Sequence, residues 1–202
     1  MQKEIKGYEV VDREVAGDYW SASELIFSED VRIIEVAAFA RNKNLKKIEI
    51  KGVTTICEGA FDGCSNLEAV ILPDSLEVIG QYAWSGCKSL KEITLPKKIK
   101  EIKMGTFKNC ESLSEVHLNE GLQTIGDHAF MMCPSLKSLD LPSTIENICS
   151  NAFGWCEQLE AIVLPEGIKR IEKHAFWGCC HLNKPVIPKG IAYFGGFGSF
   201  VL

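Results

Sequence analysis

Seven aromatic residues recur along this chain at an almost constant interval. Phe39, Phe61, Trp84, Phe107, Phe130, Phe153 and Phe176 are separated by 22 residues once and by 23 thereafter. Three positions after the aromatic stand Cys64, Cys87, Cys110, Cys133, Cys156 and Cys179, with Asn42 in the first unit. Six positions after it stands a leucine in every unit, from Leu45 to Leu182. The pentapeptides AFDGC, AWSGC, TFKNC, AFMMC, AFGWC and AFWGC are edits of one another. Proline closes most units, at Pro73, Pro96, Pro142, Pro165 and Pro188. A fixed period in this range is the signature of a solenoid, whose units bury their apolar sides only against their neighbours.

One unit can be read from its own physics. The stretch L-x-x-I-x-L alternates apolar and outward positions, so one face of a short strand points inward. The proline after it has no N–H and stops the ladder. A second apolar pair, such as Leu76/Ile79 or Ile99/Ile102, forms the opposite wall. Between the walls A-F-x-x-C makes a tight helical turn that drops the aromatic inside, with a small Ala or Thr leaving room for the backbone. Stacked units then place identical residues in columns about 4.7–4.9 Å apart. Seven full units run through residues 31–190.

The pattern I-x-x-I-x-x-x-A-F-x-x-C-x-x-L-x-x-I-x-L-P resembles the BspA-like class of leucine-rich repeats over about residues 24–194. The resemblance implies a right-handed leucine-rich-repeat superhelix, mostly short parallel β-strands with tight helical turns, and a parallel sheet along the concave side. It also implies a surface-associated bacterial protein, often an adhesin, and not an enzyme. The first residues, MQKEIKGYEVVDREV, lack the apolar stretch of a secretory signal. They and an unpaired cysteine ladder are also compatible with the cytoplasm.

The ends leave the pattern. Residues 1–23 are acidic, with a strand expected at Tyr8-Glu9-Val10-Val11, and are expected to cap the first coil's edge. The solenoid is expected over 24–194, opening with a strand half-unit at Glu24 to Phe27. In the tail, 195–202, the aromatic column would fall on Ser199. Gly195-Gly196-Phe197-Gly198 is too close to the end to open the helix a phosphate loop needs. The tail is instead expected to plug the last coil, to lead into further chain, or to mediate end-to-end self-association.

Charge narrows the function classes. Of 22 basic and 27 acidic residues, three and eight lie in residues 1–30, so the remainder carries 19 of each sign. A neutral body argues against a nucleic-acid binder, which needs a clustered basic surface. Seven lysines in residues 88–108 are a local exception, read as solvated turns of adjacent units. No apolar run is long enough to span a membrane.

Nothing in the repeat supplies catalysis. Six cysteines at one period read as a buried ladder, the thiol acting as a small hydrophobe with a weak donor. A repeated nucleophile would need a repeated base, and no column provides one. Cys57 and Cys149 are four units apart, too far to pair. His174 with Cys179, Cys180 and His181 could in principle hold zinc, but Cys179 belongs to the ladder and the spacing is not that of a zinc knuckle. His117 lies on the concave strand with no carboxylate fixed beside it by spacing. We expect no cofactor and no metal.

What remains is a surface. The outward positions eight and ten after the aromatic vary from unit to unit: Lys47 and Glu49, then Ile71, Glu92 and Thr94, Glu115 and His117, Asp140, and Val163. These are the expected contacts for a protein or glycan partner of unknown identity. The sequence thus reads as a non-enzymatic interaction module, or alternatively as a spacer segment of a larger surface adhesin.

Overall fold

Alternation within each unit yields two strand walls, and the computed structural model describes them over residues 1–195. The first wall carries β1 (Gln2–Ile5), β3 (Glu24–Phe27), β5 (Lys47–Ile50), β7 (Ala69–Ile71), β9 (Glu92–Thr94), β11 (Glu115–His117), β13 (Ser138–Leu139) and β15 (Ala161–Ile162). The second carries β2 (Val10–Val11), β4 (Ile33–Ile34), β6 (Thr55–Ile56), β8 (Val78–Ile79), β10 (Glu101–Ile102), β12 (Thr124–Ile125), β14 (Asn147–Ile148), β16 (Arg170–Ile171) and β17 (Tyr193–Phe194). Pairing is parallel and in register with the repeat, as in Glu92 with Glu115 and Ile125 with Ile148. The result is a parallel-strand solenoid of about eight turns.

The columns form the core. The seven aromatics are fully or almost fully buried. Their rings lie within 13° of parallel, with centroids 5.3–5.6 Å apart at every step but one. That is the range of offset stacking and not of a face-to-face sandwich. Phe27 closes the N-terminal end of the column edge-on, at 5.7 Å from Phe39. Beside the rings, each ladder thiol donates to the carbonyl oxygen of the aromatic one coil earlier, as from Cys64 to Phe39 at 3.1 Å and from Cys87 to Phe61 at 3.3 Å. Asn42, which replaces the thiol in the first unit, donates instead to the Trp20 carbonyl at 3.1 Å. The position wants a buried donor, and an amide supplies it where the column begins.

The corners are tight, and their backbone is unusual. The residues two before and two after each aromatic have positive φ, among them Gly59 and Gly63, Tyr82 and Gly86, His128 and Met132, Asn151 and Trp155. Glycine adopts this region freely, whereas Met, Trp and Tyr do so at a cost. The alternation turns successive N–H groups toward the next coil, as Gly59 to Gln81, Phe61 to Ala83 and Gly63 to Ser85, at 2.6–2.9 Å. The corner is therefore a third hydrogen-bonded ladder, which satisfies backbone groups that a buried turn would otherwise leave unpaired.

At the N-terminus residues 1–23, read from the sequence as a cap outside the residue pattern, lie along the edge of the first coil. β1 pairs with β3, β2 pairs with β4, and α1 (Arg13–Gly17) takes the place of the corner. Asp12 caps that helix by accepting from the Val15 N–H at 2.9 Å. The backbone register extends into the segment although its side chains do not repeat, because Ala16 stands buried where other units carry an aromatic. At the other end β17 extends the second wall from β16. The tail from 196 onward lies outside the described residues.

Candidate functional site

Strand alternation puts one set of side chains into the core and the other into solvent. On the first wall the outward set contains Lys47, Ile71, Glu92, Thr94, Glu115, His117, Asp140 and Val163, all exposed, and Glu49, which is half-buried. Ile71 is 48% and Val163 77% exposed. Asp140 and Val163 lie just beyond the ends of β13 and β15.

The wall is not continuous. Neither β7 and β9 nor β11 and β13 share a hydrogen-bonded ladder on this wall, and on the second wall β8 and β10 do not. A single long contact, Lys91 N–H to Glu68 carbonyl at 3.5 Å, crosses at the start of the first gap. The gap opens as a groove of about 640 Å³ walled by Ile71, Leu72, Glu92, Thr94, Lys97 and their neighbours. It falls where the single tryptophan of the aromatic column stacks on Phe61, with a centroid distance of 6.2 Å, the widest step in the stack. The Trp84 Nε1, buried, has no hydrogen-bond partner among the described residues.

Next to the groove, register brings like charges together. Glu92 and Glu115 are direct partners across β9 and β11, and His117 sits diagonally from Glu92. His117 Nε2 lies 3.3 Å from Glu92 Oε1, and all three side chains are exposed. The carboxylate beside His117, which spacing did not fix, comes from the adjacent strand, 25 residues away in sequence.

The lysine-rich stretch is partly neutralised. Lys98 pairs with Glu77 at 2.6 Å, Lys88 with Glu111 at 2.7 Å, and Lys91 approaches Glu68 at 4.0 Å. These exposed pairs contribute little to stability. The His/Cys group is dispersed. Cys179 points inward and donates to Phe153, Cys180 lies 3.4 Å from His181 Nδ1, and His174 packs on the Trp177 ring.

With this geometry in hand, comparison with known proteins is decisive for the family. The BspA type leucine rich repeat region matches in six copies, over residues 17–113 and 79–197. The chain belongs to that family. Among solved structures, this BspA-type chain is similar to a leucine-rich repeat protein from Eubacterium ventriosum, with 30% identity and a TM-score of 0.75 over 83% of this chain and 45% of that one. It is similar also to a leucine rich repeat protein of T. pallidum, with 29% identity and a TM-score of 0.76 over 81% of this chain and 79% of that one. No curated protein matches it. The chain spans less than half of the Eubacterium protein. BspA-type repeats are generally interaction proteins and generally not enzymes. No helix among the described residues is long and apolar enough to cross a membrane.

Two features of this BspA-type surface escaped the reading of the repeat. One is the groove, which nothing in the repeat pattern marks. The other is an apolar edge on the corners, where Met132, Trp155 and Trp177 are exposed at positions that hold Gly, Asn or a polar residue in most other units. The edits AFMMC, AFGWC and AFWGC carried that signal.

Proposed function

We propose that this chain is a non-enzymatic interaction module that binds a protein or glycan through the outward side of its first strand wall, the concave face in the family. The observation that carries this reading is the coincidence of the groove with the variable column. Ile71 and Thr94 line opposite sides of a concavity on an otherwise uniform scaffold. Stability comes from the inward columns, so these outward positions are free to serve recognition. An apolar β-branched residue flanked by charge suits the buried centre and polar rim of an interface.

The test uses the intact chain to recover a partner, then measures its affinity for two variants. Ile71→Ala with Thr94→Ala should leave folding within about 0.5 kcal/mol of the parent chain and weaken binding, one position dominating. Lys98→Ala with Lys100→Ala and Lys103→Ala should change affinity little, and the affinity should depend only weakly on salt. An affinity indifferent to the first variant and lost in the second would place recognition on the lysine turn instead.

A second reading, a spacer within a larger surface adhesin, is favoured by one observation: the chain spans 45% of the Eubacterium relative. In that case contacts made elsewhere in the full-length protein would survive both variants.

A further inference from the structure

Glu92, Glu115 and His117 project from two adjacent hydrogen-bonded strands, and one ligand atom from each lies within 4.8 Å of the others. We propose that they form a binding site for a divalent transition-metal ion of the zinc type, with positions left open to solvent. The first argument is distance. A tetrahedral ion with bonds of about 2.0–2.1 Å separates its ligand atoms by about 3.3 Å. His117 Nε2 and Glu92 Oε1 already stand 3.3 Å apart. Bringing in Glu115 needs only rotation of an exposed side chain on a strand whose register fixes its Cα opposite that of Glu92.

The second argument is charge. Two carboxylates directly opposed in a ladder repel one another. No lysine or arginine forms an ion pair with Glu92 or Glu115 among the described residues, although lysine pairs relieve Glu68, Glu77 and Glu111 nearby. Among the described residues the imidazole is the only ion-pair partner of the two carboxylates, and a cation would satisfy all three groups. The third argument is donor chemistry. One imidazole nitrogen with two carboxylates favours zinc, cobalt or nickel over calcium or magnesium, which take oxygen alone. Glu92 also walls the groove, so an ion there would face whatever the groove receives and could accept a donor from it.

The site shares its residues with the proposed binding face, but metal binding by the free chain is measured without a partner, so the two can fail separately. The probe is zinc chloride titrated calorimetrically into the intact chain carrying Cys180→Ser, which removes the exposed thiol. One equivalent is expected to bind. His117→Ala and Glu115→Gln should each weaken it about tenfold or more, given that groups merely supporting a metal ligand are worth 10–100-fold. An equal concentration of calcium should not displace it. Three results would overturn the site: no binding, binding that both substitutions leave unchanged, or displacement by calcium, which would reveal an acidic patch only. Binding present in the parent chain and abolished by Cys180→Ser alone would assign the ion to Cys180 and His181 and equally reject the proposal.

Discussion

At Trp84 the backbone carbonyl accepts two hydrogen bonds, from the Cys87 N–H at 3.2 Å and from the Cys110 thiol at 3.2 Å. The first closes the corner and the second ties it to the next coil. Serine at position 110 would place a shorter, more polar group in the same dry site. Cys110→Ser is expected to cost about 1–3 kcal/mol through an imperfectly paired buried hydroxyl, read as a lowered midpoint in urea. Burial also sets the titration of the ladder. Cys64 and Cys179 are pushed up to about 12 from an ordinary value of 9.0, and burial likewise raises Cys87, Cys133 and Cys156. The folded state therefore keeps protons that the unfolded chain releases above pH 9. Stability is fully present below pH 9 and is lost as pH rises toward 12, by about 1.4 kcal/mol per pH unit for each thiol in that window. Circular dichroism should show a steep alkaline transition there. A molecule unchanged at pH 11, its thiols ionised, would contradict the coupling.

Among the elements, the loop after β11 shows how one unit departs from the repeat and repairs itself. Asn119 stands where most units carry proline, almost fully buried. Its Nδ2 donates to the Pro96 and Ile99 carbonyls at 2.9 and 3.0 Å, and its Oδ1 accepts from the Gly121 N–H at 2.8 Å. Asn119→Ala should lower stability by about 1–3 kcal/mol, because buried groups lose their partners; chemical denaturation measures it. The strand walls and the aromatic and thiol columns were legible in the sequence, since every inward position repeats. The corner conformation was not, because Tyr82, Met132 and Trp155 occupy positive-φ positions that glycine would have advertised, as Gly63 and Gly86 do. The N-terminal coil was hidden for the opposite reason: its backbone repeats while its residues do not. Of the candidate site, the outward column followed from alternation alone. The pairing of His117 with Glu92 depended on side-chain direction across a diagonal, which period does not encode.

For the whole molecule, the interruption between β7 and β9 matters more than any one residue. A solenoid is stabilised mainly by contacts between neighbouring coils, and this seam has no ladder on either wall, its coils being tied by the corner N–H groups of Tyr82, Trp84 and Gly86 donating to Met104, Thr106 and Lys108. Backbone amides of Glu92 to Thr94 should exchange with deuterium faster than those of β5 or β12, which sit inside continuous ladders. Hydrogen–deuterium exchange with and without a bound partner tests the central claim most directly. Binding at the groove predicts added protection in peptides covering β7, β9 and β11, with the second wall unchanged. Protection confined to residues 98–103 or to the second wall, with β7 to β11 exchanging as before, would contradict it.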